Sequence, residues 1–137
     1  MVHEVHKIVR EADGRRIVIA DSATSITKDN KNDIIVDGSH CGANIAPDYV
    51  LPNGVRGMIG NDAGIGLENA GIASLKILED NGIPAAAVAA MSAEIGVGQS
   101  TYNEGVISAV NEVAKKMGVA VGMPAREAAD KMFEGIS

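Results

Sequence analysis

The middle of the chain carries the pattern that most constrains its fold. A short apolar run at 57–60 leads through a glycine-broken loop into a helical pattern at 67–80, and a second apolar run follows at 85–90. The helical pattern gathers small and apolar residues into one sector at about 100° per residue. Gly82 and Pro84 supply the residues that end helices. Strand, helix and strand in this order predict a βαβ unit, whose two strands are parallel.

The N-terminal segments predict further strands. Asp13-Gly14 lies between two apolar runs and is a strong hairpin signal. A short strand is expected at 33–37, and a brief helix kinked at Pro47 is expected at 43–50. The hairpin therefore precedes the parallel strands and is expected at an edge of their sheet.

The C-terminal segments predict helices. Thr101 and Glu104 have the spacing of a capping box, so an amphipathic helix is expected at 101–117. A last edge strand at 119–121 and a helix opened by Pro124 follow. The predicted fold is α/β: one domain over 1–137, a three-layer α/β/α arrangement with a largely parallel sheet of about four to six strands.

Composition excludes several classes of protein. The net charge of −6 argues against a nucleic-acid partner, since such partners require clustered Lys and Arg. No apolar run approaches the ~20 residues of a membrane span, and the first residues lack the apolar core of a signal peptide. Cys41 is the single cysteine, so no internal disulfide can form and a cytoplasmic location is expected.

The chain is poor in aromatic residues. It has two Tyr, one Phe and no Trp, so its core must consist of Ala, Val, Ile, Leu and Met. Such residues bury little apolar area each, which leaves a monomer with marginal stability. Association stabilises such a protein, and a homo-oligomer is therefore expected.

Three predicted strands end in the same way, with a polar cluster and glycines. The resulting loops are 38–42, 61–66 and 92–100. Carboxyl ends of parallel strands meet at one edge, where open α/β sheets bind ligands. The catalytic candidates are His40, Cys41, Asp62 and Glu94, and the substrate-binding candidates are Ser39, Asn61, Gly64, Gly66, Ser92 and Ser100.

Each candidate also has a structural interpretation. His40 suits acid–base chemistry near neutral pH, or it ties its loop by hydrogen bonds. Cys41 is a nucleophile if a neighbouring base or helix N-terminus lowers its pKa, and otherwise a small buried thiol. Asp62 is a base, a metal ligand, or the group that satisfies free N–H donors at the next helix. Ser92 and Glu94 position a polar substrate or belong to a solvated, glycine-rich lid.

The glycines at 64 and 66 do not form a nucleotide-binding motif. Asn69 stands where a dinucleotide fingerprint requires glycine, and no Gly-Lys-Ser/Thr follows as in a P-loop. The histidines lack the spacing of a tetrahedral zinc site. Neither a cofactor nor a metal is therefore expected.

Three functions remain open. The first is a small cytosolic enzyme that acts on a small polar or anionic metabolite by acid–base or hydrolytic chemistry in the three loops. The second is a non-catalytic swivelling or regulatory module, or a small subunit that completes a partner's active site. The third is a structural oligomer whose loops form subunit contacts.

Overall fold

The computed structural model describes residues 6–64 and 67–136, which form a mixed α/β structure around one six-stranded sheet. The strands are β1 (His6–Ala12), β2 (Arg15–Ala20), β3 (Asp33–His40), β4 (Gly57–Asn61), β5 (Ala85–Val88) and β6 (Ile107–Val110). The helices are α1 (Ala73–Asp80), α2 (Gly98–Glu104), α3 (Glu112–Lys116) and α4 (Ala125–Gly135). Short 3₁₀ segments span Ala23–Ser25, Lys28–Asn30 and Leu67–Ile72, and a π-helical turn spans Ala46–Val50.

The sheet is mostly parallel and its strands lie in chain order. β2, β3, β4 and β5 run parallel, whereas β1 pairs antiparallel with β2 and β6 antiparallel with β5. Asp13 and Gly14 close the first hairpin at φ 55° and 77°, the left-handed backbone that a two-residue Asp-Gly turn requires. The predicted mixed α/β sheet, largely parallel with an edge hairpin, is confirmed.

Alternate strand residues feed two separate apolar clusters. One contains Ile34, Val36 and Ile59 together with residues of α4, such as Met132 and Phe133. The other contains Ile35 and Met58 together with Leu75 and Leu78 of α1 and residues of the turn at Ala46–Val50. Since successive residues of a strand point to opposite faces, apolar residues are buried on both faces of the sheet.

The predicted helix at 101–117 is wrong. The chain instead forms the end of α2, the strand β6 and the short helix α3. Gly105 has an extended backbone (φ −63°, ψ 140°) that stops α2, and the β-branched Ile107 is buried as β6 pairs with β5. Thr101 lies within α2 and does not cap it, and 119–121 forms no strand.

The central helix begins later than predicted. Residues 67–72 form a 3₁₀ segment with about three residues per turn, and the α-helix starts only at Ala73. Ser74 and Leu78 are buried as the helical pattern predicts, but Ala70 is exposed because the tighter turn changes the phase. Within the described part of the chain, no helix has the length and hydrophobicity needed to cross a membrane.

Candidate functional site

The carboxyl ends of β3 and β4 bring two of the predicted loops together. His40 and Asn61 are partners across the two strands, and Asn61 is also paired with Val88 of β5. From Val36 to His40 the strand β3 advances four residues while β4 advances two, from Ile59 to Asn61. Such a bulge bends β3 and sets His40 level with the end of its neighbour.

The third loop crosses to the ends of β2 and β3. The Gly96 N–H donates to the Gly38 carbonyl at 2.8 Å, and the Gly98 N–H donates to Oδ1 of Asp21 at 3.0 Å. A Cβ added at Gly38 would collide with the backbone of Val97, and one at Gly98 with the carbonyl of Ala20. The two glycines therefore permit a close approach of loop and sheet that other residues would prevent.

His40 is exposed at this edge, and its ring orientation is set by its own loop. The Gly42 N–H donates to Nδ1 of His40 at 2.9 Å. A neutral ring that accepts at Nδ1 carries its proton on Nε2. The histidine therefore ties its loop, as one interpretation held, and also presents an N–H donor at Nε2.

Cys41 is fully buried beneath this loop. Burial raises the pKa of its thiol well above the usual range, and the charges of Asp37 and Asp62 raise that pKa further, against a smaller opposing effect of the Gly60 backbone. A thiol in such surroundings stays protonated and is a poor nucleophile. The geometry favours the interpretation of Cys41 as a buried thiol.

Asp62 fastens three segments. Its Oδ1 accepts from the backbone N–H groups of Gly64 at 2.7 Å and Ala90 at 3.0 Å, while Oδ2 accepts from the Ser108 hydroxyl at 2.6 Å. The side chain is almost fully buried, at 4% exposure. Its carboxylate thus joins the loop after β4 to the end of β5 and to β6.

Asn61 is buried completely, and half of its amide is unused. Oδ1 accepts from the Ala63 N–H at 2.8 Å, whereas Nδ2 is buried and has no hydrogen-bond partner among the residues described. A buried donor without an acceptor costs about 1–3 kcal/mol. Asn61 therefore holds an unsatisfied donor at the strand end that pairs with that of His40.

The predicted serines fasten loops. The hydroxyl of Ser39 accepts from the Ala23 N–H at 2.8 Å. That of Ser92 donates to the Ala89 carbonyl at 2.6 Å and accepts from the Val106 N–H at 3.0 Å. That of Ser100 accepts from the Glu94 N–H and donates to Glu104, both at 2.9 Å. Glu94 keeps its own carboxylate exposed.

Sequence reasoning missed three polar residues at this edge. Asp21 holds the third loop, Ser108 binds Asp62, and Asp37 is buried next to Cys41 with its Oδ1 accepting from the Ser39 N–H at 3.0 Å. Asp21 had a signal, because a polar cluster follows β2 just as others follow β3 and β4. The hairpin pattern alone does not place this cluster with the others, because it does not show that β2 runs parallel to β3.

The edge thus combines loops held by hydrogen bonds with a few polar groups that have unused bonding capacity. Nε2 of His40 and the carboxylate of Glu94 belong to exposed side chains, whereas Nδ2 of Asn61 is buried and unsatisfied. Gly64 has an exposed backbone in the left-handed region at φ 77°, and Gly66 lies outside the described residues. Within 6–64 and 67–136, no three His, Cys, Asp or Glu side chains are placed to share a metal ion.

Comparisons of the chain with protein-family models, with curated proteins and with solved structures give no match.

Proposed function

We propose that this protein is a small enzyme that binds a small polar or anionic metabolite at the carboxyl edge of its sheet. The observation that carries the proposal is the pairing of His40 with Asn61 at the ends of two parallel strands. One residue presents an N–H donor, and the other is buried with an unused amide donor next to it. An exposed donor and a buried, unsatisfied donor on adjoining strand ends suit an oxygen of a carboxylate, phosphate or carbonyl group that enters between them.

The tautomer of His40 assigns the chemical roles. Because Nδ1 accepts from Gly42, the neutral ring cannot also accept a proton at Nε2. His40 therefore acts as the donor that polarises a substrate oxygen. The exposed carboxylate of Glu94 is the group available to remove a proton, which makes the reaction acid–base chemistry on a polar substrate.

The other predicted properties belong to the same proposal. The protein is a three-layer α/β/α domain, supported by the two apolar clusters, and it acts in the cytoplasm as a homo-oligomer. Asp62, Ser39, Ser92 and Ser100 position the loops, while Cys41 packs beneath them. In this arrangement the rigid surroundings keep His40 and Asn61 in place at little entropic cost on binding.

A second candidate function is that of a small subunit that completes a partner's active site. Met91, immediately before the third loop, is 99% exposed, and Ile95 within that loop is 54% exposed. The exposed Val106 donates its N–H to the Ser92 hydroxyl beside them. Exposed apolar residues on functional loops are typical of protein contacts. A partner seated there would enclose the His40 edge.

A thermal-shift screen of carboxylate and phosphate metabolites tests the first candidate. A ligand at roughly 100 times its Kd stabilises the folded state by about 2.7 kcal/mol, which raises the melting temperature by several degrees. The shift should be lost in His40→Ala. The matched control is His6→Ala, since His6 is also exposed and hydrogen-bonded, through Nε2 to the Ser25 hydroxyl at 2.7 Å.

Two results would decide against this enzyme site. A ligand shift that survives in His40→Ala places binding elsewhere. The subunit function is favoured if no metabolite of the library binds and if the protein forms a stable complex with another protein that Met91→Lys abolishes.

A further inference from the structure

A cavity lies at the edge of the sheet opposite His40, where the parallel strands begin (the amino edge). It has a volume of about 470 Å³ and is lined by residues that include Asp13, Arg15, Asn32, Arg56 and Glu134. Arg15 is the first residue of β2, while Asn32 and Arg56 immediately precede β3 and β4. Pockets of roughly 300–1,000 Å³ hold small metabolites. The cavity is thus large enough for a ligand and is separate from the His40 edge.

The arginine on one wall of this cavity is fixed in place. The Arg15 guanidinium donates to the backbone carbonyls of Phe133 and Ile136 at the end of α4. It also lies 4.6 Å from the centroid of the Phe133 ring. These contacts cap the negative end of the helix and immobilise the cation. A fixed guanidinium loses little rotamer entropy when a ligand arrives.

Charges of both signs share the cavity. Arg15 and Arg56 supply two cations, and Asp13 and Glu134 supply two carboxylates. Asp13 lies 3.8 Å from Arg15, and Glu134 lies 3.4 Å from Arg10. A ligand with charge of only one sign would be repelled by two of these four groups. A ligand that carries a positive and a negative charge can place each of them next to a group of opposite charge.

From this charge pattern we infer that the cavity binds a small amphoteric metabolite, one that carries both a carboxylate and an ammonium group. The carboxylate faces Arg15 and Arg56, and the ammonium faces Glu134 and Asp13. The amide of Asn32 adds a donor and an acceptor on the same wall. This binding site is independent of the proposed reaction at the carboxyl edge.

Three five-carbon probes of matched length test the inference: 5-aminopentanoate with both charges, glutarate with two negative charges and cadaverine with two positive charges. Binding is followed by the backbone amide resonances of Gly14, Asn32 and Gly135. We expect 5-aminopentanoate to shift them, and the other two probes to bind at least about tenfold more weakly, as for the loss of one charge-assisted contact. Equal binding of glutarate or cadaverine, or no shift with 5-aminopentanoate, would overturn the inference.

Two variants locate the ligand. Arg56→Gln and Glu134→Gln should each weaken 5-aminopentanoate binding by at least about tenfold. Arg126→Gln and Glu127→Gln are matched controls on the exposed surface of α4 and should bind as the unmodified protein does. His40→Ala should also bind normally. Unchanged affinity in both cavity variants, with amide spectra that show an intact fold, would contradict the site.

Discussion

The carboxyl edge of the sheet, where the parallel strands end, and the amino edge, where they begin, differ in how far their polar residues are exposed. At the carboxyl edge Asp62, Ser92 and Ser100 are taken up by hydrogen bonds that hold loops, and Cys41 is buried as a neutral thiol. At the amino edge Arg56 and Glu134 are exposed around an open cavity. Much of the chemistry in a polar cluster at a strand end therefore serves to keep the loops in position.

The largest expected effect comes from the close contact of the third loop with β2. Gly98→Ala places a methyl group against the Ala20 carbonyl and should destabilise the fold by about 3 kcal/mol in chemical denaturation. The matched control is Gly96→Ala, which has open space but a left-handed backbone at φ 85° and should cost about 1 kcal/mol. Equal losses in the two variants would show that the loop does not pack on the strand as described.

The next comparison separates a buried carboxylate that holds loops from an exposed guanidinium at the other end of the sheet. Asp62→Ala leaves two backbone N–H groups and one hydroxyl without their acceptor and should cost about 2–3 kcal/mol. Asp62→Asn keeps the shape and one oxygen acceptor, so its loss should be smaller. At the amino edge, Arg56→Gln should change stability by less than about 0.5 kcal/mol. A larger loss for Arg56→Gln than for Asp62→Ala would reverse the comparison.

The state of Cys41 predicts a pH dependence of stability. Because its folded pKa is raised, the unfolded chain loses the thiol proton first. The stabilisation is complete below the unfolded pKa of about 8.5 and is lost as pH rises above it, by up to about 1.4 kcal/mol per pH unit. The difference in stability between the protein and Cys41→Ala should be constant at neutral pH and should shrink only in that alkaline range. Rapid alkylation of folded Cys41 at neutral pH would instead indicate a reactive nucleophile.

The smallest effect on stability is expected at Ile72, away from both edges. Ile72 is half-buried and lines a cavity of about 430 Å³ between α1 and β6. If a second copy of the chain covers it, Ile72→Lys should reduce the sedimentation coefficient without changing the denaturation midpoint. Asn103→Lys, an exposed position on α2, is the control. An unchanged sedimentation coefficient would show that no second copy of the chain covers Ile72.

The sequence predicts correctly those parts of the fold that are determined by residues close together in the chain. The Asp13-Gly14 turn fixes its own hairpin, and glycine with proline ends the central helix, so both were readable. The helix at 101–117 was wrong because Ile107 and its neighbours satisfy a helical period as well as a strand, and only pairing with β5 decides between them. Such pairing is a property of the whole sheet.

The sequence indicated where the candidate site lies, but not which hydrogen bonds its side chains make. Parallel strands bring His40 and Asn61 together, as their positions after strands suggested. Hydrogen bonds from distant segments could not be inferred: Ser108 binds Asp62 across 46 residues and Asp21 holds Gly98 across 77. These contacts determine which polar side chains are already engaged.

The central claim is that the loops around His40 form one site, and a single NMR titration tests it most directly. The imidazole of His40 is titrated between about pH 5 and 8 while backbone amides are followed. The amides of Gly64 and Gly96, remote in sequence, should shift with the same midpoint as the His40 ring, and these shifts should vanish in His40→Gln. Silent amides at both glycines, or a midpoint that persists in His40→Gln, would contradict a common site.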